Sequence, residues 1–136
     1  MITMERKARI LYKLAEMRMA VLTFPSAKLR VMLANTPEEL SKGLSGLDSL
    51  SADTGMLFTL QRTGPARFWM RDTRIPLDIA FLDEKMRILS IQRMEPHTGA
   101  AVYDGPIKYA VETNAGWFAQ NGVEVGDVGE YGGRNG

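Results

Sequence analysis

The block Phe68-Trp69-Met70-Arg71-Asp72-Thr73-Arg74-Ile75-Pro76-Leu77-Asp78-Ile79-Ala80-Phe81 constrains this chain more than any other stretch, because it sets two apolar strands around a short polar turn. Ahead of the turn, the two-residue strand period puts Phe68 and Met70 on one face and Arg67, Trp69 and Arg71 on the other. Beyond it, residues 77–82 are apolar on both faces apart from Asp78, which reads as a buried central strand.

The flanking sequence extends this pattern. Residues 28–34 alternate as a strand with Leu29, Val31 and Leu33 on one side. Thr36-Pro37-Glu38-Glu39 then has the form of a capping box with proline at the first helical position, and Gly43 offers a stop. Gly55-Met56-Leu57-Phe58 reads as a short buried strand, residues 61–65 as a loop, and residues 66–70 as a strand. Residues 83–85 connect the central strand to a returning hairpin partner at 86–94. The polar, glycine-bearing stretch 95–106 reads as a mobile loop before a strand at 107–113. Asn114 is placed to cap a second short helix ending at Asn121-Gly122, and residues 123–128 read as a last strand.

With no regular β-α-β alternation, these elements predict a mainly β (α+β) fold, a compact antiparallel sheet, closed and barrel-like or a sandwich, with two short helices. At 136 residues, 45% hydrophobic and 24% charged, the chain suits one globular domain and neither disorder nor a membrane span. Residues 1–24 read as a basic extension, either a short amphipathic helix, with Ile10, Leu11, Leu14, Met17 and Val21 at helical spacing, or a poorly ordered segment. The domain is then expected over 25–130, with a flexible tail at 131–136.

Five basic residues in the first 24 (Arg6, Lys7, Arg9, Lys13 and Arg18) against Glu5 and Glu16 give that segment +3. A net charge of +1 for the whole chain leaves −2 on the remainder. Nucleic acid is therefore not an expected partner, since its binding needs a basic excess. The chain has no cysteine and one histidine, His97, which excludes disulfides, thiolate catalysis and cysteine or multi-histidine metal sites. No cofactor or metal is expected. The first 24 residues show no apolar run of signal-peptide length, which favours a cytoplasmic location.

Gly55-Met56-Leu57-Phe58, Phe68-Trp69-Met70 with Thr73, Pro76-Leu77-Asp78-Ile79 with Phe81, Glu112 with Ala115-Gly116, and Gly126-Asp127 occur in an order that resembles the bacterial and archaeal domain-of-unknown-function family DUF192, over about residues 29–128. The resemblance implies a β-rich single domain and carries no established reaction. Members of that family often have an export signal or lipid anchor ahead of the domain, and neither is legible in this sequence. Two positions depart from the family pattern. Leu47 stands where an arginine is usual, and Asp72 where asparagine precedes the threonine.

The residues themselves suggest one ligand site and one alternative. Trp69 between Arg67 and Arg71 could stack a flat ring among cationic groups, or serve as an indole covered by arginine stems. With Thr73 and Asp78 they form the expected ligand-binding set of a groove around residues 67–78, for an unidentified small molecule or protein. Asp78 on an apolar strand face needs partners, with Arg71, Arg74 and the Trp69 N–H as candidates. It either holds its turn or orients a ligand. Glu112 either favours the second helix N-terminus or joins Asp78 as an acid–base pair. That pair would make a cofactor-free, glycosidase-like hydrolase, and requires the carboxyl groups to lie roughly 5–9.5 Å apart. A purely structural accessory domain is the third reading. His97 and Asp127 are assigned to a loop and a turn, and the arginines 62, 67, 71 and 74 form either a solvated face or a local basic surface for a phosphate or carboxylate.

Overall fold

The computed structural model describes residues 18–132. Seven strands and two short helices follow in the order β1 (Met19–Phe24), β2 (Ala27–Ala34), α1 (Pro37–Lys42), β3 (Thr54–Trp69), β4 (Leu77–Leu82), β5 (Ile88–Met94), β6 (Ala100–Asn114), α2 (Trp117–Gln120) and β7 (Glu130–Tyr131). They make one sheet in the order β5-β4-β6-β3-β2-β1-β7. β2 and β3 run parallel, and every other neighbouring pair is antiparallel. The fold is thus mainly β with two short helices, as expected, but the sheet is mixed. It stays open, although residues 126–129 bond to 86–88 and so join its two edges at one end.

β4 is buried at every position, and its alternation sorts the interior into two apolar clusters. Leu77, Ile79 and Phe81 join Met56, Phe58, Met70 and Ala110 on one side, where Leu44 and Leu47 cover them. Ala80 and Leu82 join Leu22, Leu29, Leu57, Val111, Trp117 and Phe118 on the other. β6 lies between β3 and β4, so its residues 109–113 are paired on both sides.

Local signals formed where they were legible. Thr36 caps α1 by accepting from the Glu39 N–H at 3.2 Å, while the Glu39 carboxylate accepts from the Thr36 N–H, closing the capping box with Pro37 in the first turn. Other segments are more ordered than expected. Residues 19–24, assigned above to the extension, are β1, with Ala20, Leu22 and Phe24 buried and their neighbours half-buried. The domain therefore starts before residue 25, and residues 1–17 lie outside the described part. Residues 61–65 and most of 95–106 are not loops but the outer halves of β3 and β6, which pair with each other across register shifts at Thr59, Gly64 and Ala66. Only 95–99 remain a turn. Residues 123–128 are largely a turn held by Asp127, whose carboxylate accepts from the Glu124 N–H at 3.0 Å, and the short final strand follows. Asn114 does not cap α2. Its side-chain amide donates to the Leu50 carbonyl at 2.8 Å, and Gly116 occupies the cap.

β3 passes close against β6 at Gly55. A Cβ there would sit 2.3 Å from the Glu112 carbonyl oxygen and 3.2 Å from Leu29 Cδ2. The obstructing atom is backbone in a strand paired on both sides, so it cannot step aside. Gly55→Ala is expected to destabilise the fold by about 3 kcal/mol in urea unfolding. Gly64→Ala, whose Cβ meets nothing within 4 Å, should stay within about 0.5 kcal/mol of the parent.

Candidate functional site

A cleft of about 640 Å³ opens between the C-terminal end of α1 and the outer half of β3. Its walls are residues 40–45 on one side, Leu60 and residues 65–69 on the other, and Arg71, Asp72 and Thr73 at the turn, with Phe58 and Glu112 also lining it. The two irregular strand halves position the rim. Because β3 continues past its bulges, Trp69 lies at the far end of the ladder opposite Ala100, 66% exposed, with the exposed Arg67 on the same strand face. Phe68 turns inward and packs edge-on against Phe58 at 5.0 Å between centroids.

The turn at 71–73 is fixed by its backbone. Thr73 is buried, its N–H donates to the Met70 carbonyl at 2.9 Å, and its carbonyl accepts from the His97 N–H at 3.0 Å. Asp72 adopts φ 58, a left-handed conformation that Asp and Asn take more readily than most residues. Its carbonyl accepts from the Gly46 N–H at 2.9 Å, which ties the turn to the segment after α1. Leu47 is buried in the apolar cluster beneath. His97 is exposed on its turn, with φ 66.

Glu112 is the unusual member. Its side chain is on the face of β6 shared with Ala110, flanked by Met56 on β3 and Ile79 on β4, and the residue is 4% exposed. The carboxyl lies under the end of α1, where a Cβ on Gly43 would be 3.8 Å from Oε1 and 3.3 Å from Phe58 Cζ. Among the described residues this carboxyl has neither a hydrogen bond nor an ion pair, and no sealed side-chain nitrogen or oxygen lacks a partner. The carboxyl oxygens therefore open onto the cleft. Burial alone pushes the group up to about 8.

Asp78 is elsewhere. Adjacent strand residues face opposite ways, and Ile79, not Asp78, is registered with Glu112. Asp78 faces the second cluster with Ala80 and Leu82. One oxygen accepts from Arg93 Nε at 2.5 Å, directly across the β4–β5 ladder, and the other from the Gly116 N–H at 2.8 Å. The expected partners are thus corrected. Arg74 pairs with Asp48 at 3.2 Å, Trp69 is exposed, and Asp78 ties β4 to β5 and to the start of α2. The helix-terminus role considered for Glu112 belongs to Asp78. The acid–base pair does not form, because the sheet separates the two side chains.

Of the expected ligand set, Arg67, Trp69, Arg71 and Thr73 line one cleft and Asp78 does not. The end of α1 was not anticipated as its second wall. Gly43 was legible only as a helix stop, although the absence of a side chain there also exposes the carboxyl beneath it. Among the described residues, no three His, Asp or Glu come together in a way that could hold a metal ion. No helix of the described part is long and apolar enough to cross a membrane.

The family model of DUF192, "Uncharacterized ACR", matches residues 20–130. A crystal structure from Sinorhizobium meliloti 1021, of a "putative transcription regulator", is 31% identical. It aligns over 85% of this chain and 95% of its own with a TM-score of 0.77. A protein of unknown function from Novosphingobium aromaticivorans DSM 12444 is 32% identical over 82% of this chain and 83% of its own, with a TM-score of 0.73. No curated protein matches.

Two outcomes test these assignments. Glu112 in the folded state sits near 8 against an ordinary value of 4.5, so across that interval the folded protein keeps a proton that the unfolded chain has released. The stability linked to the neutral carboxyl is fully present below about pH 4.5 and lost as pH rises to about 8, an effect on the order of 5 kcal/mol. Glu112→Gln should flatten the dependence of unfolding free energy on pH in that window and be the more stable form above it. Asp78→Ala, which strands the Gly116 N–H and frees Arg93, should cost about 2–3 kcal/mol at neutral pH in the same unfolding measurement.

Proposed function

The chain belongs to the DUF192 family, and we propose that its domain is a non-enzymatic binding module that takes a small polar molecule into the cleft floored by Glu112. One observation carries this reading, the buried carboxyl without a partner that faces open space. A polar group in that position costs stability unless something bonds to it, and a ligand would supply the missing bond. The cleft volume suits a small molecule, and its lining mixes apolar side chains such as Phe58, Leu60 and Phe68 with polar and charged groups that converge on the same space. Trp69, Arg67 and Arg71 extend the site outward, where an exposed indole and guanidinium groups offer stacking and anion contacts.

The hydrolase alternative loses its chemical basis with Asp78 on the other side of the sheet. A regulator acting on nucleic acid, which the description of one similar structure suggests, finds little support here, because the residues from 25 onward carry a net charge of −2.

The test is an amide NMR titration with a panel of sugars, nucleotides, carboxylates and amines. Saturable shifts are expected at Gly43, Trp69, Arg71, Thr73 and Glu112, while the buried Trp117 indole stays unmoved. Asp78→Asn, if folded, should bind the same probe within about twofold, since it does not line the cleft. Shifts confined to the opposite side around Phe118, or none across the panel, would overturn the proposal.

A further inference from the structure

Four charged side chains other than Glu112 line the cleft, and their distribution is uneven. Lys42 at the end of α1, Arg67 on β3 and Arg71 at the turn are exposed, and among the described residues none has an ion pair or side-chain hydrogen bond. Asp72 is the one acidic group beside them. The floor is the reverse: a single carboxyl, packed against Phe58, Met56 and Ile79, with no basic side chain among these neighbours. Resting on the binding reading above, we infer that the cleft takes a small zwitterion, its ammonium group seated on the Glu112 carboxylate and its anionic end held at the rim by Arg67, Arg71 and Lys42.

A zwitterion suits the cleft better than a ligand of single charge. A carboxylate enclosed by apolar side chains gains most from a cation, because charge-assisted hydrogen bonds are roughly twice as strong as neutral ones and the surroundings screen them poorly. A purely anionic ligand would satisfy the rim but would set like charge against the floor, or leave it neutral and weakly bonded. A purely cationic ligand would have to pass three unpaired basic side chains. A molecule with both charges matches both ends.

Seating an ammonium group has a consequence in protons. Near pH 7 the free Glu112 holds its proton, since burial raises it to about 8, and the bound form must release that proton to the solvent to make the ion pair. No bond to carbon is made or broken.

The experiment uses the full chain and a matched trio, 6-aminohexanoate, hexylamine and hexanoate. Calorimetry at pH 7 in two buffers of different ionisation enthalpy reads affinity and proton release together. The expected result is that 6-aminohexanoate binds at least tenfold more tightly than either single-ended probe and releases close to one proton. Glu112→Gln, with its fold verified by the amide spectrum, should weaken 6-aminohexanoate at least tenfold and abolish the release. Arg67→Ala with Arg71→Ala should weaken 6-aminohexanoate while binding hexylamine at least as tightly as the parent, because two of the repelling charges are gone. Hexanoate binding as well as 6-aminohexanoate, or binding with no proton released, would overturn the inference. If carboxylates or sugars of the wider panel occupy the cleft and 6-aminohexanoate does not, this inference alone fails. If no probe shifts the cleft, the binding reading fails with it.

Discussion

The antiparallel ladder between β3 and β6 runs from Gly55 opposite Thr113 to Trp69 opposite Ala100, and the rest of the molecule is arranged by it. Its inner half is flanked by β2 and β4, so the residues there are sealed between paired strands and obey strict alternation. Its outer half passes bulges and carries Phe68 and Met70 back over the first apolar cluster, leaving Arg67 and Trp69 outside. One continuous pairing therefore supplies the floor of the cleft through Phe58 and Glu112 and one of its walls through residues 65–69. The second wall, the end of α1, enters because Leu44 and Leu47 cover that same cluster. The ladder tolerates little at Gly55, where two backbones meet too closely for any side chain.

Two acids show how differently the sheet treats a buried carboxyl. Asp78 and Glu112 are almost equally hidden, at 6% and 4%. Asp78 receives a guanidinium from the neighbouring strand and a backbone N–H from the turn ahead of α2, so its charge is compensated and its position serves the fold. Glu112 receives neither, and its neighbours in register are methionine and isoleucine. An uncompensated acid in an apolar cluster works against stability. Where such a group opens onto a cleft, function is the natural reason for keeping it.

Much of the local structure could be read from the residues, because its causes are local. The fully apolar run at 77–82, the Thr36–Glu39 capping box and the inward and outward sets around Trp69 all appear where the sequence placed them. What was misread depends on partners far along the chain. Residues 61–65 and 100–106 contain Gly64, Pro65, Gly105 and Pro106, poor strand formers individually, yet each supplies the pairing that the other lacks. β1 was hidden because its outward positions, Met19 and Val21, are as apolar as its inward ones. The face of each carboxyl within its own strand was legible, Asp78 with Ala80 and Leu82, Glu112 with Ala110. Which faces of β4 and β6 coincide is a matter of register, and one residue of slip exchanges them. The contribution of Gly43 was equally out of reach, since a glycine reveals what it uncovers only when the covered group is known.

Whether Glu112 is an uncompensated carboxyl at the floor of an open cleft can be read from its side-chain carbonyl carbon in a pH titration by ¹³C NMR, with the glutamates isotopically labelled and Glu112→Gln used for assignment. A resonance that titrates with a midpoint near 8, far above the ordinary glutamate value of 4.5, is the predicted result. A midpoint at or below that ordinary value would mean that the carboxyl is hydrated or paired in solution, and that Glu112 is not the uncompensated floor of the cleft.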